Sequence, residues 1–240
     1  MTEVRLVMKS LMQIKWAAVF IVLATAFMAT GMVIAAAYNA RQAKKAESAK
    51  PLSAGLVDVG FSQHMVWHHS QAVEIAKIIQ RRASAQSKLL AEQISTHQLM
   101  EMGEMKGWLQ IWNAPILSTS TSMDWVFKNP NAKWNMSPVF LDLCRSAPGG
   151  QPGVATIDEL TQLRSATGKK LDILFLQLML RHHMSALPMA RYAKENAETP
   201  VVRSTAAKII DEQRQEIHAM RTLLKQLGAE PLPFPDVDSV

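Results

Sequence analysis

The residues best equipped for chemistry are histidines carried by a phrase that occurs twice. Asp58-x-x-Phe61-x-x-x-Met65-x-x-His68-His69-x-x-Ala72 is matched, position by position, by Asp172-x-x-Phe175-x-x-x-Met179-x-x-His182-His183-x-x-Ala186. Four of the seven histidines lie in these two pairs. Neighbours on an α-helix project about 100° apart, so one imidazole of each pair is expected to face inward. Met65 precedes His68 by three residues and Met179 precedes His182 by three, which puts a thioether and an imidazole on one helical face in each half. His64 and His68 are spaced i, i+4, the strongest local metal signal, and the second phrase has Leu178 at the place of His64. Imidazole nitrogen with thioether sulfur suits copper, especially Cu(I), better than magnesium, calcium or a carboxylate-bridged iron pair. The candidate metal ligands are therefore His64, Met65, His68, His69, Met179, His182 and His183.

A second reading of the same residues stands beside the first. Methionine at helical spacing also fills cores, and the paired imidazoles could form a buried polar network with Glu101, Glu216, Gln98 and Gln213. His97, His218 and Cys144 read as surface or packing residues. A ferritin-type di-iron site needs Glu-x-x-His on two helices plus two further glutamates, and the chain has no Glu-x-x-His. Cys144 sits in no activating motif, so nothing marks the chain as an enzyme.

The elements that must position these residues are helical. The chain has 240 residues, 48% of them apolar, with 15 methionines and few aromatics, enough for a packed core and weighted towards helix. A single cysteine excludes an internal disulfide framework. The net charge of +6 is spread without aromatic interleaving, which argues against a nucleic-acid partner. Residues 16–38 carry no charge and are long enough to span a bilayer core of about 30 Å. We read 1–38 as an uncleaved, single-span membrane anchor with Trp16 and Tyr38 at its interfaces, and 39–57 as a linker.

Helical periodicity then predicts a first hairpin over 58–112, from helices near 58–82 and 87–112. Residues 113–155, rich in Pro, Gly and Ser/Thr, read as a long irregular insert. Its Trp125, Phe127, Trp134, Phe140 and Leu141 are too apolar for a free linker, so it should pack on the bundle or on a larger membrane complex. Thr156 opens a short helix to about Ala166. A long helix from about Lys169 to Asn196 should kink at Pro188, and Thr199-Pro200 starts a last helix ending near Gly228. These make a second hairpin over 156–228, with a tail over 229–240. The second helices also match, Gln98-x-x-Glu101-Met102-x-x-Met105 against Gln213-x-x-Glu216-Ile217-x-x-Met220. Two related hairpins would close into one four-helix bundle.

The second half, from Leu160 and Leu163 through Gly168, Asp172, Phe175, Met179, His182-His183, Ala186 and Met189-Ala190 to Gln213, Glu216 and Met220, resembles the DUF305 family. Asp58 to Leu109 resembles a further, more diverged copy. The resemblance implies a ferritin-like four-helix bundle, exported and often membrane-tethered, in a family that includes copper-binding proteins. It makes Met65, His68, His69, Met179, His182 and His183 the family's Met and His-His positions. The expectation is an all-α protein: an N-terminal transmembrane helix, then a ferritin-like bundle on the extracytoplasmic side that binds copper for buffering, storage or delivery. The alternative is a structural accessory subunit of a membrane complex, contacting it through the anchor and residues 113–155.

Overall fold

The computed structural model describes residues 28, 30–42, 53–118, 123–133, 136–147 and 151–235. The chain divides into two compact units, residues 1–52 and 53–240. In the first, residues 30–42 are helical and expose Met32, Val33 and Ile34. Most of the span expected over 16–38 lies outside the described residues. Among those described, no helix is long and apolar enough to cross a membrane.

The second unit is all helical among its described residues. It contains α1 (Leu56–Ile79), α2 (Ala85–Ile111), α3 (Asp124–Phe127), α4 (Pro138–Ser146), α5 (Ile157–Ser165), α6 (Gly168–Asn196) and α7 (Pro200–Gln226). Helices α1 and α2 pack as one hairpin, α6 and α7 as the other, and α1 lies against α6 between them. The core is built from Phe61, Met65, Ile75 and Ile79 of α1, Ile94 and Met105 of α2, Phe175 and Met179 of α6, and Ile209 and Met220 of α7. Their spacing is the i, i+3, i+4 stripe of helices that bury one face.

The aspartate that opens each phrase has a defined role. Asp58 is fully buried, and its carboxylate accepts from Gly55 N (2.8 Å), Glu198 N (3.1 Å), Thr199 N (2.9 Å) and Thr199 Oγ1 (2.6 Å). It therefore closes the first turn of α1 and satisfies donors at the start of α7, in the other hairpin. Asp172 makes the matching contact, accepting from Ser84 N at the start of α2 (3.0 Å). Each phrase thus caps the second helix of the opposite hairpin. Asp172→Ala removes one such bond and is expected to cost about 1–2 kcal/mol, the usual range for a lost cap, read from the urea midpoint of unfolding.

One sequence expectation changes. The insert is not irregular throughout, because α3 and α4 form within it. Ser137 caps α4, accepting from Phe140 N, with Pro138 in its first turn. The insert also packs on the bundle. Trp125 is buried between Phe61, Tyr192 and His64, with ring centroids 6.3, 5.5 and 6.0 Å away. Its indole lies so close to Gly60 that any β-carbon at residue 60 would collide with it. Helix α6 runs from Gly168 to Asn196 as one element that includes the buried Pro188.

Candidate metal centre

Sequence periodicity placed one imidazole of each pair inside; the structure buries all four. His68, His69, His182 and His183 each have 0% exposure. The correction has a simple cause. Helices α1 and α6 are each flanked by more than one helix, so directions about 100° apart on them both point into protein.

His68 and His182 meet at the seam between α1 and α6, their ring centroids 3.8 Å apart with planes tilted by 38°. The His182 Nε2–H donates to the His68 carbonyl (3.1 Å). Ser185 Oγ donates to the His182 carbonyl (2.7 Å) and so accepts from the His68 Nε2–H (3.1 Å). The other two imidazoles turn to the second helix of their own hairpin. His69 Nε2 is 2.8 Å from Glu101 Oε2, and His183 Nε2 is 2.7 Å from Glu216 Oε2.

These partners assign the tautomer. A carbonyl or ionised carboxylate oxygen accepts only, so against such a partner Nε2 carries the hydrogen and Nδ1 is left with its lone pair. The Nδ1 atoms of His68, His69, His182 and His183 are all buried and have no hydrogen-bond partner. An imidazole whose far N–H is held by a carboxylate, carbonyl or hydroxyl is in the donor state used for metal ligation. Burial also keeps three of these rings neutral. Burial, reinforced by the other imidazoles, holds His68 and His182 well below the ordinary histidine value. Burial lowers His69 to about 3, the neighbouring His183 adding to the effect.

The glutamates differ from each other. Glu216 is buried, which alone would raise it, but hydrogen bonds and charge from His183 and His97 leave it below the ordinary carboxylate value. It accepts from His97 Nδ1 at 3.0 Å as well as from His183. Burial pushes Glu101 up to about 7. Burial and the neighbouring Glu101 carboxyl also raise Glu212. Lys208 Nζ lies 3.9 Å from Glu101 and 3.8 Å from Glu212.

His97, which read as a surface or packing residue, thus bridges the hairpins, and Glu212 was not anticipated. The signal was present: His97 and Glu212 stand immediately before the matched Gln98 and Gln213. Both glutamine amides are buried and without hydrogen-bond partners.

The remaining candidates are placed as follows. Met65 and Met179 are fully buried in the apolar core. His64 donates from Nδ1 to the Gly60 carbonyl (2.9 Å) and its ring lies beside Trp125, whereas His68, four residues on, lies against His182. The i, i+4 pair is therefore engaged on different neighbours. Among the described residues, no three His, Cys, Asp or Glu side chains converge into a metal-binding group. Cys144 is buried and its thiol is pushed up to about 12, so it stays a thiol at neutral pH. An open groove of about 440 Å³ between α2 and α7, lined by Leu89, Leu90, His218 and Leu223, touches none of the candidate ligands.

Comparison with known proteins agrees with this architecture. No curated protein matches the chain. Among solved structures, it is similar to a DUF305 protein from Streptomyces coelicolor, with 30% identity and a TM-score of 0.63 over 74% of this chain and 98% of that one. A DUF305 fragment from Deinococcus radiodurans shows 26% identity and a TM-score of 0.55 over 72% and 98%. CopM in its Cu(II)-bound form shows 27% identity and a TM-score of 0.50 over 70% and 96%. The family profile, described as a domain of unknown function, runs as one continuous match from residue 58 to 224, so it spans both hairpins and does not separate two copies. With both His-His phrases and all four bundle helices inside that match, the chain belongs to the DUF305 family.

Proposed function

We propose that the protein binds copper in the core of its bundle, as an exported, N-terminally anchored protein for copper buffering, storage or delivery. The observation that carries this reading is the set of four buried imidazoles, each held through Nε2 with its Nδ1 lone pair unpartnered. His68, His69, His182 and His183 would donate through Nδ1, and Met65 and Met179 through sulfur, with His64 as a further nitrogen in the first half. Neutral imidazole and thioether favour Cu(I) over harder cations. Cu(I) also accepts fewer donors than tetrahedral zinc or octahedral magnesium require, in keeping with a core where no three classical ligands converge. Two likenesses support the reading: CopM is solved with Cu(II) bound, and the Streptomyces coelicolor relative is described as a secreted protein.

The purified full-length chain, titrated with Cu(I) and Cu(II) against a competing chelator, is expected to take up copper stoichiometrically. His68→Ala/His182→Ala, checked for native helicity, is expected to lose at least one equivalent. A wild-type protein that takes up none overturns the proposal.

One observation favours a second reading, in which the histidines act in packing. His69 and His183 are each hydrogen-bonded to a buried glutamate of the second helix of their own hairpin. An accessory subunit bound to a membrane complex through its anchor and residues 113–155 would need no more than that. Copper titration separates the two.

A further inference from the structure

The segment joining the insert to α5 crosses the seam at the level of the stacked imidazoles. Gln151 Nε2 donates to the His64 carbonyl (3.3 Å). Ala155 makes a reciprocal pair with the Gln71 side chain, its N–H donating to Oε1 (2.7 Å) and its carbonyl accepting from Nε2 (2.9 Å). On α6, Arg181 donates to the carbonyls of Gly153 (3.2 Å) and Val154 (3.3 Å), while its guanidinium grips Glu159 through two bonds of 2.8 and 2.7 Å. The anchor points on α1 lie on either side of His68 in sequence, and Arg181 adjoins His182.

Gly153 is the point of closest approach. Its φ of +82° is one that residues with a β-carbon seldom adopt. A β-carbon there would strike the side chain of Ser185, the hydroxyl that accepts from His68 Nε2. The segment 151–155 therefore rests on the residue whose hydroxyl joins the His68 ring to the His182 carbonyl.

Its attachments differ in kind from the rest of the bundle. The backbone bonds of residues 153–155 named above go to the side chains of Gln71 and Arg181, outside any helical ladder. Opening it breaks a few side-chain bonds and leaves α1 and α6 intact, the situation in which local opening costs much less than global unfolding.

We propose that residues 151–155 form a strap that gates access to the His68–His182 pair, with Gln71 and Arg181 as its latches. The strap admits small reagents and, on the copper reading above, a soft metal ion. The symmetry of the two phrases shows that this is a dedicated feature of one side. The positions matching Arg181 and Ser185 in the first phrase are Trp67 and Gln71, so α6 contributes the guanidinium latch and the supporting hydroxyl, and α1 the amide latch.

The test is the rate at which diethyl pyrocarbonate modifies each histidine of the full-length protein, followed by peptide mass spectrometry in wild type and Gln71→Ala. Loss of two hydrogen bonds is expected to raise the rates at His68 and His182 by about 10- to 30-fold. His69 and His183 face the second helices and serve as internal controls, their rates staying within about two-fold of wild type. Unchanged rates at His68 and His182 overturn the gate, and so does an equal rise at all four, which is general loosening. Arg181→Gln supplies a second latch variant should Gln71→Ala fold poorly. With Cu(I), Gln71→Ala is expected to load faster to the same final stoichiometry. A wild type that takes up no copper defeats the copper reading, while the modification rates still decide the strap.

Discussion

Replacing Glu216 by alanine is expected to destabilise the bundle by about 2–3 kcal/mol, the range for leaving a buried donor without its charged acceptor. The size follows from what the carboxylate holds. Glu216 is 2% exposed and accepts from His183 at 2.7 Å and His97 at 3.0 Å. Its loss strands the buried His183 N–H, and water cannot replace the partner. It also removes the bond that joins His97 of α2 to α7. Glu216→Gln keeps one carbonyl acceptor and is expected to cost less. Glu101→Gln is expected to be milder still, about 1 kcal/mol, because Glu101 is pushed up to about 7 and already spends much of its time neutral at physiological pH. Urea unfolding at pH 7.5 of the three variants checks the order. Equal losses at Glu216 and Glu101 would contradict the assignment of the charged carboxylate to Glu216.

Acid is expected to unfold the protein well above the pH that protonates ordinary carboxylates. Three imidazoles are held neutral by burial: His69, lowered to about 3, and His68 and His182, lowered well below 6.5. Above pH 6.5 both folded and unfolded forms of these groups are neutral, so their stability contribution is complete. As pH falls from 6.5 towards 3 the unfolded chain takes up protons that the folded one refuses, and stability is lost. Glu101 works in the opposite direction. Its folded value near 7 exceeds the ordinary 4.5, so its contribution is full below 4.5 and is lost as pH rises through 7. Three imidazoles oppose two raised carboxyls, Glu101 and Glu212, so stability is expected to fall as pH drops below 6.5. Urea midpoints between pH 7.5 and 5 check the slope. A flat profile over that range would mean that the imidazoles are not held neutral in the folded state.

Much of the architecture was legible in the residues alone. The stripe from Phe61 to Ile79 and its counterpart from Phe175 to Ala190 set the long helices within a few residues, and Thr156 and Thr199-Pro200 marked two helix starts correctly. The pairing of imidazoles with Glu101 and Glu216 was one of two readings open from spacing, because His69 to Glu101 and His183 to Glu216 hold matched places. Other features were hidden because they are tertiary. That Asp58 caps α7 depends on how two hairpins meet, and no local pattern announces it. That both members of each His-His pair are buried depends on how many neighbours α1 and α6 have. The helices of the insert were missed for a different reason. Pro and Gly density dominated, although Ser137-Pro138 is a sound cap and first turn, and Gly60, matched by Leu174 in the second phrase, was the notch that receives Trp125.

The asymmetry between the halves also shifts where copper chemistry is expected. Spacing favoured His64 with His68 in the first half. His64 instead uses Nδ1 on the Gly60 carbonyl and lies beside Trp125, while His68 meets His182 across the seam. The centre of the candidate site therefore moves to the interface between the halves, where each hairpin contributes one ring.

The most direct test is long-range nitrogen–proton NMR of the histidine rings in the full-length protein, before and after one equivalent of Cu(I). The expected result is the Nε2–H tautomer at His68, His69, His182 and His183 in the metal-free protein. Addition of Cu(I) should then move the Nδ1 resonances of His68 and His182. Nδ1–H tautomers at these positions, or ring resonances that copper leaves unmoved, would contradict the account.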